Sequence, residues 1–376
     1  MPGISEHPLG RDGYWRVQRY QDVETLLTDT ATFASSRLGT KQSYAPAGSV
    51  AGIVGRQFLF LDGREHLAVQ GLLRKALGRR ANQLGPFLQT TITSLLEAGL
   101  KSGQLDLVGD FAAPFSRQLI AHVLGIPASD SELLVQLERW SDAFADVTSG
   151  HLHTDLGAVQ SLYAYFGQLL AEKRSHPGDD LLSVYVTATS AGLRDREEVI
   201  SDAMMLFAAG RATIRKLLPA VLWHLLHLVP EHLASLRARL EARPALLPSL
   251  TEEGLRWATP TSRVARWTTR EVELGGQVIP AGAKVFAELA AANRDEYRFS
   301  DPSHFEPARH PNRHVTFGAG PHACTGAPIA HKAAQAAFGA LLALPHLELA
   351  TPEQPPPLFD NENIGGIRSC PVILSQ

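Results

Sequence analysis

The sequence predicts a mainly α fold with a smaller β part, and three observations carry that expectation. From Gly63 to about Leu240, apolar residues recur at three- and four-residue spacing, the period of amphipathic helices. Strand-like alternation is confined to a short stretch near Trp15 and to the last third of the chain. No internal repeat and no linker divides the 376 residues, so 1–376 are expected to fold as a single domain.

Taken in order, Trp15-Arg16-Val17-Gln18-Arg19-Tyr20 alternates like a strand, and Gln21 to Leu27 changes to helical spacing. Residues 36–60 are rich in Gly, Ser and Ala, lack a clear period and read as loop. Breaks in the helical region are expected at Gly85-Pro86, Gly125-Ile126-Pro127 and Pro177-Gly178. The longest helix should run from Glu197 to Leu228, capped at Asp195 or beside it and kinked at Pro219, which lacks a backbone donor. Glu271 to Leu274, Gly275-Gly276 and Gln277 to Pro280 form a two-residue hairpin pattern. Residues 290–323 are a long irregular stretch, followed by a helix from Ala327 to Leu344 and a C-terminal strand around Cys370 to Leu374. A loop that long inside a compact domain usually serves a function.

Composition narrows the possible functions. With 44% hydrophobic residues, 19% charged residues and a net charge of -3, the chain is globular in class and lacks the concentrated basic surface that nucleic acid requires. Its two cysteines, Cys324 and Cys370, are too few for a disulfide framework, which points to a reducing, cytoplasmic compartment. No segment approaches about eighteen consecutive apolar residues, so no membrane span is expected. No signal peptide is expected either.

One segment stands apart. Phe317-Gly318-Ala319-Gly320-Pro321-His322-Ala323-Cys324-Thr325-Gly326-Ala327 sets a cysteine among glycines immediately ahead of a helix. Glycines such as Gly318 and Gly326 let the backbone turn tightly and approach a flat ligand, with amides free to donate to sulfur. The helix start favours a thiolate over a thiol, and a thiolate is a good ligand for iron.

This string resembles the haem-binding loop of the cytochrome P-450 family, and the resemblance extends over most of the chain. Glu253-Gly254-Leu255-Arg256 matches the family's E-x-x-R helix, and Asn293-Arg294-Asp295 with Phe299, Asp301-Pro302 and Phe305 is similar to the segment leading to the haem loop. Glu172-Lys173-Arg174 and Pro177 to Leu182 resemble the approach to the long central helix. The resemblance implies haem b as cofactor, Cys324 as the iron ligand that favours O–O cleavage, and the cytochrome P-450 fold. It also implies that Trp15 to Val17 stands where most relatives have already passed several dozen residues, so an opening helix and strand are expected to be short or absent.

Haem carries two carboxylates into an apolar interior, and these need cationic or hydrogen-bonding partners. By family position, His322 and Arg263 are the expected partners, with His66 from an early H-x-x-x-R motif and His314 ahead of the loop as further candidates. That motif is incomplete: Gln70 replaces its arginine, bringing a hydrogen-bond donor without charge, with Arg74 as a substitute cation. On the central helix, Ala209-Gly210-Arg211-Ala212-Thr213 matches the family's oxygen-activating run, with Gly210 leaving room for oxygen and Thr213 supplying a hydroxyl. The acid that normally precedes the threonine is missing, since Ala212 stands there.

Three functions are therefore compared. The first is a monooxygenase that inserts one oxygen atom into a mainly apolar small molecule, drawing electrons from a separate ferredoxin or flavodoxin docked near Lys75, Arg79, Arg80 and Lys332. The second, prompted by Ala212, is altered oxygen chemistry: a peroxide-driven peroxygenase, or oxidative coupling, nitration or dehydration. The third is a non-enzymatic haem-binding protein, which the substitutions at Gln70 and Ala212 allow. The substrate pocket is expected to draw on residues 36–60 and 142–170, on Phe207 and Ala208, and on the segment after Arg256. Arg211 is expected to face away from the haem.

Overall fold

The computed structural model describes residues 3–7, 13–36, 49–127, 130–148, 155–189, 192–228, 230–359 and 366–375. Strands β1 (Ile4–His7) and β2 (Tyr14–Val17) pair antiparallel, so a strand does precede Trp15. Helix α1 (Tyr20–Thr28) follows with Val23, Leu26 and Leu27 buried, and then β3 (Phe33–Ala34). Part of the stretch expected to be loop is helical. Ser49 accepts from the Gly52 amide and so caps α2 (Val50–Gly55), which a 3-10 turn at Phe58–Phe60 follows. Residues 37–48 lie outside the described residues.

The helical body comes next. It comprises α3 (Gly63–Gln83), α4 (Gly85–Ser102), β4 (Gln104–Asp106), α5 (Ala113–Leu124), α6 (Ser131–Thr148), α7 (Leu156–Ser175) and α8 (Leu181–Thr189). The breaks fall where Gly and Pro place them: Pro86 sits in the first turn of α4, and Gly125 ends α5 with φ of 78°. Helix α9 (Arg196–Leu226) begins at a capping box formed by Asp195 and Glu198, and continues through Pro219 without interruption. Then follow α10 (Pro230–Ala242) and α11 (Leu246–Ala258).

Strands gather where the alternation placed them. β5 (Arg263–Thr268) precedes the hairpin of β6 (Val272–Leu274) and β7 (Gln277–Ile279), whose Gly275 and Gly276 have φ of 55° and 78° as a type I′ turn requires. β8 (Lys284–Glu288) completes a five-stranded sheet ordered β1-β2-β8-β5-β3, in which only β2 and β8 run parallel. After the short α12 (Leu289–Ala292) and the irregular stretch come α13 (Ala327–Leu342), β9 (His346–Leu349) and β10 (Pro371–Ser375). β10 lies between β4 and β9, and Cys370, just ahead of it, is buried.

Residues 293–316 have almost no regular structure, so their backbone groups need other partners. Buried side chains supply them. Arg256 makes two bonds of 2.7 Å to the Glu253 carboxylate and donates to the carbonyls of Asn293 and Pro302 at 2.9 and 3.0 Å. Glu253 also accepts from the Glu306 amide at 2.8 Å, from Asn312 at 3.1 Å and from Arg309 at 3.1 Å. Asn293 donates to Thr259 and Thr316, and accepts from the Val315 amide at 2.8 Å. The irregular chain is thereby fixed to the C-terminal end of α11.

A second carboxylate acts one residue earlier. Glu252 meets His331 of α13 at 2.7 Å and His314 at 3.1 Å, bracketing the back of the Cys324 loop. Burial works against the Glu252 charge, but the two imidazoles outweigh it and hold its pKa down to about 2. For His331 burial likewise opposes the charge, and Glu252 more than restores it, leaving the pKa raised.

Two outcomes follow. Glu253→Gln leaves Arg256 buried beside a neutral group and should cost about 3–5 kcal/mol in urea unfolding. For Glu252, a lowered carboxyl pKa means its stabilisation is complete above the ordinary value of 4.5 and lost as pH falls toward about 2. A raised His331 means its share is complete below 6.5 and lost as pH climbs through the raised value. Glu252→Gln should therefore destabilise most between those two values, by about 1 kcal/mol given its partial exposure. Melting temperature measured against pH, with the two curves converging on acidification, checks this.

Candidate active site

Helix α9, α5, the start of β5 and the Cys324 loop surround a cavity of about 380 Å³, large enough for a small molecule or a flat cofactor. Its walls are mostly apolar. Cys324 enters from one side and Ala209, Gly210 and Thr213 of α9 also line it.

The loop takes its shape from backbone geometry. Gly318 and Gly320 have φ of 70° and 68°, and a Cβ on Gly320 would lie 2.9 Å from the Leu27 carbonyl oxygen. The Cys324 amide donates to the Phe317 carbonyl at 2.8 Å and closes the turn. Cys324 lies deep in the protein, yet its side chain is accessible because it opens onto the cavity. Burial raises the pKa of the thiol, and the amides of Gly326 and Ala327 oppose that rise. The helix-start donors expected from the sequence are thus present, but in the chain alone they do not outweigh desolvation. Gly318 and Gly326 both line the cavity beside the sulfur.

Polar groups collect at one edge. His66 is buried, with its ring stacked on His322 at 3.7 Å between centroids and on Phe58 at 6.2 Å. Burial and the neighbouring His322 lower the His66 pKa to about 4, so it is neutral. His322 Nε2 lies 3.0 Å from Ser35 Oγ and 3.4 Å from Asp62 Oδ1. Burial alone would raise Asp62, but His322 and the donors of Ser35 and Ser36 hold its carboxyl well below the usual range. Gln70 donates to the Ala323 carbonyl at 3.1 Å, spending its amide on the cysteine loop.

Two expected haem contacts lie elsewhere. Arg263 does not line the cavity; its guanidinium lies over the Phe286 ring at 4.9 Å. Alternation along β5 is the reason, since Val264 and Arg266 share the cavity face and Arg263 points from the other. Arg266 is the cation that faces the cavity. It is buried, its Nε has no hydrogen-bond partner, and burial lowers its pKa against the pull of Asp62. Counting by two from Val264 would have found it. His314 is also absent from the lining, because the Glu252 carboxylate holds it behind the loop. Arg74, the substitute considered for the missing motif arginine, is exposed and lines no part of the cavity.

On α9 the lining residues are Met205, Leu206, Ala209, Gly210, Thr213, Ile214 and Leu217, one helical stripe. Phe207 and Ala208 face the core instead, and no described residue of 142–170 lines the cavity; 149–154 lie outside the described residues. Phe58 and Leu59 contribute from the 36–60 stretch, and Pro260, Thr261 and Val264 from the segment after Arg256. A Cβ on Gly210 would lie 2.6 Å from Ile120 Cδ1, so any larger residue there would push the Ile120 side chain of α5 aside. The Thr213 hydroxyl donates to the Ala209 carbonyl at 3.0 Å. Ala212 does not reach the cavity, and Arg211 turns away from it, its guanidinium held by Glu138 at 2.7 Å and by Asp142.

Comparison with known proteins agrees with this arrangement. Residues 239–371 match the family model described as Cytochrome P450. Mycinamicin IV hydroxylase/epoxidase of Micromonospora griseorubida is 34% identical, over 92% of this chain and 85% of its own length. Cytochrome P450 CYP107DY1 of Priestia megaterium is 32% identical, over 96% and 89%. The crystal structure of P450BioI in complex with an acyl carrier protein ligated to hexadec-9Z-enoic acid superimposes with a TM-score of 0.87 at 26% identity, covering 99% of this chain and 95% of that one. With a cysteine open to an apolar cavity beneath a long helix, and relatives of this kind over nearly the whole chain, the protein belongs to the cytochrome P450 family and is a haem b-dependent monooxygenase.

Proposed function

We propose that the chain inserts one atom of dioxygen into a mainly apolar small molecule, at a haem whose iron is bound by Cys324, with electrons from a separate ferredoxin or flavodoxin. The observation that carries this reading is that the Cys324 side chain and Gly210 and Thr213 of α9 line the same apolar cavity. When bound, haem supplies an iron centre at which dioxygen is reduced and split.

The residues present suit that group. Arg266 has a buried, unpartnered Nε beside His66 and His322, a set of donors suited to the haem carboxylates. Gly318 and Gly326 leave the sulfur uncovered, and the amides of Gly326 and Ala327 favour its charged form. The apolar walls exclude water and select an apolar substrate. Thr213 keeps its hydroxyl at the cavity surface: its O–H donates to the Ala209 carbonyl, its oxygen is left to accept from the cavity side, and it delivers a proton there once the O–H turns away from that carbonyl. Residues 1–376 are read as one domain around this cavity, in a cytoplasmic setting that suits two unpaired cysteines. No described helix is long and apolar enough to cross a membrane.

For the electron donor, Lys75 and Arg79 of α3 and Lys332 of α13 are exposed, and the two helices pack together. They present positive charge on the cysteine side, complementary to an acidic partner. Arg80 is committed to the carbonyls of Asp179 and His122 and contributes less. Ala212 favours a second reading, in which hydrogen peroxide supplies the oxygen: product formed from peroxide alone, at a rate equal to the reductase-driven rate, would select it.

Turnover of apolar small molecules with a surrogate ferredoxin system under 18O2 should place a single labelled atom in the product; product lacking label contradicts monooxygenation. Thr213→Val should slow product formation by about 10²-fold while Thr213→Ser retains most of it. Ala212→Asp should raise the share of reducing equivalents recovered in product, and an unchanged share means that this position does not limit proton delivery. Arg266→Ala should lower the haem retained on gel filtration, whereas Arg263→Ala should leave it unchanged.

A further inference from the structure

Behind the part of the cavity wall formed by Phe58 and Leu59 lies a second buried polar cluster that oxygen chemistry does not use. Asp202 sits on the cavity-facing stripe of α9, one turn before Met205 and Leu206, but no part of it reaches the cavity or solvent. Its carboxylate accepts from the Tyr185 hydroxyl of α8, from Arg194 Nε at 3.2 Å and from the backbone amide of Phe58 at 2.6 Å. Arg194 in turn donates to the Arg56 carbonyl, and the adjacent Ser201 donates to the Ile53 carbonyl. Three side chains from α9 and the turn before it therefore hold the main chain at residues 53, 56 and 58.

That main chain matters because Phe58 and Leu59 form part of the cavity wall, with Phe58 stacked against His66. The segment is short, with α2 six residues long and the 3-10 turn three, and besides these bonds it is held by the buried Ile53 and by Arg56, which pairs with Asp195 at 3.4 Å and Glu197 at 3.6 Å. A buried carboxylate is costly unless it is fully bonded, and Asp202 is bonded by a cation, a hydroxyl and an amide at once. Burial pushes its pKa up to about 6, with Arg194 opposing that rise.

We infer that Asp202 is a positioning residue for substrate selection: through Arg194 and the Phe58 amide it seats the Phe58–Leu59 wall, and so sets the size of molecule that fits the cavity. The inference rests on the reading of this cavity as the haem and substrate space.

The test uses haem-loaded protein and two probes, imidazole and 4-phenylimidazole, titrated by the optical difference spectrum. In Asp202→Asn, 4-phenylimidazole should weaken by about tenfold relative to imidazole, the effect of losing one snug apolar contact. Hydrogen exchange should rise at amides 53–60 and stay constant at 317–326. Tyr185→Phe, which keeps the ring and removes one donor, should shift the ratio in the same direction and is decisive if Asp202→Asn does not hold haem. A ratio unchanged within about twofold in the folded variants overturns the inference, since a role in stability alone would not move it. Failure of the wild-type protein to give any azole spectrum would instead refute the reading of the cavity itself.

Discussion

The Glu253–Arg256 ion pair is the contact on which the position of Cys324 depends. Both side chains are fully buried, and between them they hold the carbonyls of residues 293, 302 and 304 and the amide of residue 306. An irregular stretch has no ladder of its own, so its course is set by whichever buried groups satisfy it. From Asn293 the order passes to Val315 and Thr316, and from there through the Phe317 carbonyl to the Cys324 amide. The same helix offers Leu255 to the cavity, so one element aligns the loop and shapes the space it serves.

The opposite face is built on different physics. Helix α9 meets the cavity with one stripe, other apolar residues such as Phe207, Leu218 and Leu222 pack in the core, and Arg211 and Arg215 near its middle are held by charge. Arg211 and Arg215 both reach Glu138 of α6, which also takes Arg117 of α5. This network lies beside Ala212, the position where the family resemblance leads one to expect an acid. The carboxylates near this turn of the helix therefore come from a neighbouring helix and are already committed to guanidinium groups. Thr213 remains the cavity-facing hydroxyl of that turn, and it donates to the helix carbonyl one turn back.

Much of this was legible in the chain because strong local rules applied. Capping at Asp195, the Gly275-Gly276 turn and the glycine-flanked Cys324 each follow from the conformational demands of single residues. The site was less legible where tertiary geometry decides. Arg263 and Arg266 are both arginines of one strand, and only the face of β5 that meets the cavity separates them. His314 is adjacent to the loop in sequence, but Glu252 draws it to the far side. Asp62 and Asp202 had no motif to mark them; their roles arise from segments far apart in sequence, residues 35 and 36 with 322 in one case, and 58, 185 and 194 in the other.

The central claim is that Cys324 binds the haem iron as a thiolate, although burial of the free thiol works against its charged form. The most direct measurement is the absorption spectrum of the reduced protein under carbon monoxide, for the wild-type chain and for Cys324→Ser. A strongly red-shifted Soret band in the wild type that disappears in the variant is the predicted result. A histidine-type spectrum in the wild type, or a red-shifted band that survives in Cys324→Ser, would contradict it.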